Sequence, residues 1–307
     1  MNIVITGGAG FIGSHLSSMH KALGDHVTVI DNLSTSNYSL DDLADEFISF
    51  DLGNTYADEW SVFSDALADA DLVYHMASSV GVKHVDEDPK GSLRNSFNIN
   101  NNLFPLFEHY NSRVIFASSS EVYGDTEDAK ETDTLKIGSP DTLRWGYACG
   151  KLMSEFLLKT YSFPSTIVRF FNVTGPGQLH KYGMVLPTFI KNVKECKDII
   201  VYGDGSQYRT FCDIRDAIKM LHILGNSSLA INEIYNIGNT ENTITIHQLA
   251  KKVVELSGGK SRMILRPYEN DFSDQFGEIF KRRPNTDKMD QFFKAVHSVD
   301  DIIESML

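Results

Sequence analysis

The sequence predicts a doubly wound α/β domain followed by a smaller second unit, on three observations. Short apolar runs of high β propensity recur through the first half, the segments between them are long enough for helices, and this alternation weakens after about Asn172. The runs are Ile3–Thr6, Val27–Ile30, Phe47–Phe50, Leu72–His75, Val114–Ala117 and Thr166–Phe170. Their nearly unbroken hydrophobicity is that of parallel strands covered on both faces, since a half-exposed strand would alternate apolar and polar residues.

The second half reads differently. Turn-rich stretches, "NVTGPGQ" (Asn172 to Gln178) and "VYGDGSQ" (Val201 to Gln207), separate helical patterns at Met184–Cys196, Asp213–Leu224, Ile246–Leu256 and Val299–Met306. The expected division is therefore a first domain over residues 1–172 and a second over 173–307, with some segments of the second returning to the first and a cleft between them. The polar stretch Asp125–Thr142 is expected to be a surface loop. No internal repeat is visible, and the asparagine-rich "FNINNN" (Phe97 to Asn102) is too short for a linker.

With 307 residues, 42% hydrophobic and 22% charged, the chain can bury substantial cores. A formal net charge of −13 argues against nucleic-acid binding, which needs clustered Lys and Arg. Any phosphate-bearing ligand must then be met by backbone N–H groups and a few placed arginines. No apolar run approaches the ~18 residues of a membrane span, and the first residues lack a signal-peptide pattern, so a soluble cytoplasmic protein is expected. Cys149, Cys196 and Cys212 lack metal-ligand spacing and are expected to be reduced and structural, with no metal site.

In "MNIVITGGAGFIGSHL" the glycines Gly7, Gly10 and Gly13 follow the first strand and open the first helix. One glycine permits the tight turn, one lets the backbone approach a pyrophosphate and one lets helix and strand pack closely. Asp31 ends the second strand about 20 residues further on, where a carboxylate can accept hydrogen bonds from an adenosine ribose. No Arg or Lys occurs in "DNLSTS" (Asp31 to Ser36) to pair a 2′-phosphate, which favours NAD over NADP. Asp51, after the third strand, fits either a helix cap or the adenine edge.

"ASSSEVYG" (Ala117 to Gly124) ends the fifth strand, where ligands sit in open α/β sheets. Downstream, "RWGYACGK" (Arg144 to Lys151) places Tyr147 and Lys151 four apart, on one face of a helix. A lysine ammonium near a phenol favours the phenolate, so Tyr147 is expected to have a lowered pKa and to serve as general base, with a serine hydroxyl orienting a substrate alcohol.

Together with "HMAS" (His75 to Ser78), "RFFNVTGPGQ" (Arg169 to Gln178), "VYGDGSQYRTF" (Val201 to Phe211) and "RRPNTDK" (Arg282 to Lys288), these motifs resemble the extended short-chain dehydrogenase/reductase family, among its nucleotide-sugar epimerases, dehydratases and decarboxylases. The resemblance covers nearly the whole chain and implies a Rossmann-type domain with bound NAD, a nucleotide-diphosphate sugar as substrate, UDP by default, and a homodimer paired through two long helices. Leu152, Phe156 and Leu157 are apolar candidates for that pairing. The resemblance makes Ser119 the catalytic Ser/Thr, Tyr147 the base and Lys151 its partner, with Ser120 and Glu121 following. It adds Phe11, Ile12, Asn32, Ser34, Leu52, Met76, Ala77, Ser78 and Asn98 to the cofactor contacts. Asn172, Leu186, Tyr202, Arg209 and Arg282 fall to the substrate, with Asn172, Arg209 and Arg282 at the diphosphate.

The implied shared step is hydride removal from a sugar carbon, usually C4, to give a 4-keto sugar. A 4,6-dehydratase of this family carries Asp-Glu after the catalytic Ser/Thr, and Ser120-Glu121 departs from that. Ser119-Ser120-Glu121 resembles the UDP-glucuronate decarboxylases, whereas "SSVGVKHVDEDP" (Ser78 to Pro89) resembles an epimerase loop. A 4-epimerase acting on a UDP-hexose or UDP-uronate is the favoured expectation, with a decarboxylase as the alternative. A non-catalytic NAD-binding sensor is the reading from another class; the retained Ser119, Tyr147 and Lys151 argue against it.

Overall fold

The computed structural model describes residues 1–34, 43–54, 60–61, 63–78, 88–142, 145–180, 183–267 and 279–307. Residues 35 and 36 of "DNLSTS", residues 79–87 of the loop likened to epimerases, and Arg144 lie outside them.

Among the described residues the strands are β1 (Asn2–Thr6), β2 (His26–Asp31), β3 (Glu46–Ser49), β4 (Leu72–His75), β5 (Val114–Ser119), β6 (Thr126–Ala129), β7 (Ser165–Phe170), β8 (Val173–Thr174), β9 (Ile199–Tyr202), β10 (Tyr208–Thr210), β11 (Cys212–Asp213), β12 (Ile234–Ile237), β13 (Thr243–Thr245), β14 (Met263–Arg266) and β15 (Lys281–Pro284). The helices are α1 (Phe11–Ala22), α2 (Ser64–Ala68), α3 (Pro89–His109), α4 (Trp145–Leu158), α5 (Val185–Lys194), α6 (Ile214–Gly225), α7 (Ile246–Leu256), α8 (Asp287–Asp290) and α9 (Val299–Met306).

Seven strands form one parallel sheet in the order β12-β7-β5-β4-β1-β2-β3. The order reverses between β1 and β4, which puts a crevice at their carboxyl ends, where ligands bind in such sheets. Six of the strands match the six apolar runs. The seventh, β12, comes from the second half of the chain, one of the segments expected to return. Helices α1 and α6 cover one face through Leu16, Ala217, Leu221 and Leu224. On the other face lie α2, α3 and α4, through Leu67, Leu103, Phe104, Phe107 and Leu158. Both faces are thus dry, which is why the strands read as continuous apolar runs.

A separate core joins α5, α7 and α9 to β9 and β13 through Leu186, Phe189, Val201, Leu249, Val253 and Ile302. Here the helical patterns read from sequence fall within two residues of the observed ends at each terminus. The stretch Asp125–Thr142 is not loop throughout, because β6 lies within it and pairs with β15 far along the chain. Its sequence, "TEDA", is mostly exposed and shows no apolar period, so only the long-range partner makes it a strand. Among the described residues, no helix is long and apolar enough to cross a membrane.

Candidate active site

Three glycines shape the turn between β1 and α1. Gly7 sits at φ +69°, and a Cβ there would lie 2.7 Å from the Ala77 nitrogen. On Gly13 a Cβ would lie 2.2 Å from the Gly7 carbonyl oxygen, and on Gly10 it would meet the same oxygen at 3.2 Å. Gly10 is the N-cap of α1 and offers no side chain to its first N–H groups, while Phe11 and Ile12 form the first turn. Bare N–H groups with backbone close on both sides suit a pyrophosphate.

Asp31 is buried and accepts from the N–H groups of Ala9 (3.0 Å) and Leu33 (2.7 Å). Burial raises its pKa and these backbone donors oppose the rise. Asn32 accepts from the Ser34 N–H at 3.1 Å. Asp51 accepts from the Gly53 N–H at 2.9 Å, so it caps its own turn, with Leu52 buried beside it. Met76 donates its N–H to the Thr6 carbonyl, and Ala77 to the Thr6 hydroxyl, with Ser78 following at the end of β4. Asn98 and Asn102 on α3 donate to the Gly53 carbonyl and to the Leu52 and Asn54 carbonyls. The "FNINNN" stretch is therefore mid-helix, and its asparagines tie α3 to the loop after β3.

At the end of β5, Ser119 accepts from the Glu121 N–H at 3.2 Å, opening a short 3-10 turn, Ser120–Tyr123, in which Ser120 is buried. The Tyr147 hydroxyl hydrogen-bonds to Ser119. One turn on, Lys151 is buried, donates to the Ala117 carbonyl at 2.7 Å and stands 5.5 Å from the centre of the Phe116 ring. Burial lowers the Lys151 pKa to about 8, against a pull upward from Glu155. The expected lowering of Tyr147 is not met by the protein's own groups, which push it up to about 12. Burial is the main cause, Glu121 adds to it, and Ser119 and Arg282 work the other way.

Glu121 forms an ion pair with Arg282, whose guanidinium also donates to the Asn172 Oδ1 at 3.0 Å. The sequence expectation puts Arg282 at the diphosphate; in the structure its guanidinium is held by Glu121 and Asn172 and acts on Tyr147. Its Nε–H is buried with no acceptor among the described residues. Asn172, at φ +38°, donates its amide to the Thr210 carbonyl at 2.8 Å. Arg209 on β10 is the register partner of Arg282 on β15, so the two arginine side chains leave the same face of that small sheet. Tyr202 is half-buried at the end of β9, whereas the Leu186 side chain lies in the apolar core.

Two buried polar clusters behind these residues went unnoticed in the sequence. His75 lies between the Thr6 hydroxyl (2.7 Å) and Asn100 (2.9 Å), and Asn100 donates to Ser154 on α4 at 2.7 Å. Since Asn100 uses Oδ1 here, His75 donates through Nε2 and accepts from Thr6. Glu155 takes a bidentate Arg169 guanidinium (3.0 and 2.7 Å) and the Ser118 hydroxyl (2.5 Å). The only sequence signal was spacing, Glu155 standing four residues after Lys151.

Comparison with known proteins agrees with this arrangement. The chain is 33% identical to the UDP-N-acetyl-alpha-D-glucosaminuronate decarboxylase of Bacillus cytotoxicus, over 93% of this chain and 89% of that protein. It is 28% identical to UDP-glucuronic acid decarboxylase 4 of Arabidopsis thaliana over 94% of this chain, spanning 63% of that longer protein. The solved UDP-N-acetylglucosamine 4-epimerase of Methanobrevibacter ruminantium, in complex with UDP-N-acetylmuramic acid, superposes with a TM-score of 0.83 at 26% identity, over 99% of this chain and 97% of the other. The sequence model of the NAD dependent epimerase/dehydratase family matches residues 3–238, from β1 to just beyond β12. The glycine cradle, the buried Asp31 at the end of β2 and the Tyr147 helix all fall inside that span, and the chain is an NAD-dependent enzyme belonging to the epimerase/dehydratase family.

Proposed function

We propose that the chain decarboxylates a UDP-linked uronate through a 4-keto intermediate. The observation that carries this reading over 4-epimerisation is the Glu121–Arg282 pair beside Ser119 and Tyr147. Glu121 and Asn172 hold the two terminal nitrogens of the guanidinium, while its buried Nε–H has no acceptor among the described residues. A buried donor of this kind gains most from an anionic ligand oxygen, and a uronate carboxylate supplies one where a neutral hexose does not. Of the loop Ser78 to Pro89, which favours an epimerase in the sequence, residues 79–87 lie outside the described residues.

The cradle and Asp31 fit NAD, which when bound supplies the hydride acceptor and the donor that returns it. Tyr147 takes the proton of the C4 hydroxyl, which Ser119 orients by sharing a hydrogen bond with both groups. The protein's own groups, the Lys151 ammonium one turn away among them, hold Tyr147 near 12, so its ionisation depends on further positive charge arriving with the ligands. A ketone at C4 is β to the C5 carboxylate, so the C5–carboxyl bond breaks with its electron pair passing to the C4 oxygen as enolate. Protonation at C5 restores the ketone. Arg282 holds the carboxylate beside this centre until CO2 leaves, and Glu121 and Asn172 fix the guanidinium plane. Arg209 is assigned to the diphosphate.

Residues 1–172, with β12 and α6, hold the dinucleotide in this reading; the rest of 173–307 holds the nucleotide sugar. The chain pairs with a second copy through α3 and α4, which expose Leu93, Phe97, Met153 and Phe156. Of the three candidates for that surface, Phe156 is 70% exposed, while Leu152 and Leu157 pack on the protomer's own cores. Incubation with UDP-glucuronate or its N-acetylated analogue and NAD, followed by mass spectrometry, tests the reaction. A product lighter by CO2 supports it; a product of unchanged mass at a new retention time makes the enzyme a 4-epimerase.

A further inference from the structure

Glu155 and the Arg169 that grips it are buried charges behind the catalytic residues to which the mechanism gives no role. Glu155 is buried on α4, one turn beyond Lys151 and two beyond Tyr147, so the three share one helix face. Both oxygens of its carboxylate are engaged by Arg169, and one of them also by Ser118. Arg169 of β7 grips it with two N–H groups, and Ser118, the residue before the catalytic serine, donates its hydroxyl at 2.5 Å. Arg169 in turn donates to the Tyr123 hydroxyl at 2.7 Å, which donates to Asn236 on β12. The carboxylate is thereby fixed by three strands and cannot turn away.

We propose that Glu155 is a positioning residue for catalysis: clamped by Arg169 and Ser118, it is the counter-charge that keeps Lys151 an ammonium in a dry site and so keeps Tyr147 ionisable. This rests on the assignment of Tyr147 and Lys151 as the catalytic pair.

The charges around Lys151 support it. From its own helix come Tyr147 and Glu155. Across on β4 is His75, neutral near pH 7 because burial takes its pKa to about 4, and α3 presents the uncharged Ser96 and Asn100. β5 offers the Ala117 carbonyl and the Phe116 ring, β7 brings Arg169 paired with Glu155, and Glu121 and Arg282 form the other ion pair. Of these, Glu155 is the anion that acts on Lys151, and it opposes the burial that draws the ammonium towards neutrality. Without its charge, Lys151 and Arg169 become two buried cations near one another, and the lysine is the one able to lose its proton.

The test titrates the Lys151 ammonium directly, by NMR of the NAD-loaded enzyme with 13C-labelled lysine, the resonance assigned by its loss in Lys151→Met. Glu155→Gln is expected to lower the Lys151 pKa by about one unit or more, and to move the alkaline limb of the pH–rate profile down with it. Glu155→Asp should retain most of the native value. The double variant Glu155→Gln with Arg169→Gln removes both charges, and should return Lys151 towards its native pKa and restore folding if Glu155→Gln alone is unstable. An unmoved Lys151 titration in Glu155→Gln, or a double variant whose titration stays as low as that of the single, overturns the proposal. If instead Tyr147→Phe turns over normally, the catalytic assignment fails, and the NMR titration still reports the charge coupling independently of it.

Discussion

The Glu121–Arg282 pair is where the functional reading and the stability of the fold can be tested by one set of proteins. Its side chains are 13% and 8% exposed, so each partner sheltered from water depends on the other. Breaking a fully buried pair by removing one partner costs about 3–5 kcal/mol. The remaining exposure of Glu121, and the Asn172 contact kept by Arg282, place Arg282→Met and Glu121→Gln nearer about 2–3 kcal/mol each. The double variant leaves no orphaned charge and should lose about 1–2 kcal/mol less than the sum of the singles. Urea denaturation at neutral pH measures all three, provided the slope with denaturant is unchanged. In the same proteins, Arg282→Met should reduce kcat/KM for a UDP-uronate by about 10- to 100-fold, the worth of a charged hydrogen bond. Stability losses that add within about 0.5 kcal/mol would refute the buried pair. An equal loss of binding for neutral UDP-hexoses and for UDP-uronates would return Arg282 to the diphosphate, where the sequence had placed it.

Three further outcomes follow from the geometry. Gly13→Ala puts a methyl against the Gly7 carbonyl oxygen, and isothermal titration should show NAD affinity falling at least tenfold, or α1 displaced; unchanged affinity would remove the close-approach argument. His75 has a folded pKa near 4, below its unfolded value of about 6.5, so the unfolded chain binds the extra proton: its contribution is complete above pH 6.5 and is lost as pH falls towards 4. Thermal melts across that window should lose up to about 3 kcal/mol, and His75→Gln should remove this component. Phe156→Glu, which puts a charge on the exposed face of α4, should convert a dimer to monomers in sedimentation, and an unchanged mass would move the interface elsewhere.

What was legible in the sequence was whatever local pattern dictates. Strands β1, β2, β4, β5 and β7 announced themselves because both faces are buried, β3 at the sheet edge through Phe47 and Ile48 alone, and the glycines of the first turn because a Cβ at each would strike backbone. Long-range pairing was not legible. β6 is polar and becomes a strand only against β15, and the small antiparallel and parallel pairings that put Arg209 beside Arg282 have no period of their own. Arg282 was found as a ligand-binding candidate, but its partner was not, since the two residues of the ion pair are 161 positions apart. The acidity of Tyr147 was misjudged for a related reason. Spacing brought Lys151 to the same face, but spacing does not report burial, and burial outweighs the groups that favour the phenolate.

For the anionic substrate proposed above, a formal charge of −13 on the whole chain is unfavourable, and the proposed site answers it locally. A general surplus of lysines is not used; instead Arg209 and Arg282 are placed in register on adjacent parallel strands, so both side chains leave the same face of that small sheet. The helix α1 N-terminus adds partial positive charge without a side chain, and Glu121 cancels Arg282 on one edge only. Buried groups of this kind act at short range and are weakly screened by salt, whereas the repulsion from the remaining surface is long-ranged and strongly screened. In the proposed reaction the diphosphate stays bound while the carboxylate held by Arg282 leaves as uncharged CO2, so the attraction at that end is lost as the C5–carboxyl bond breaks.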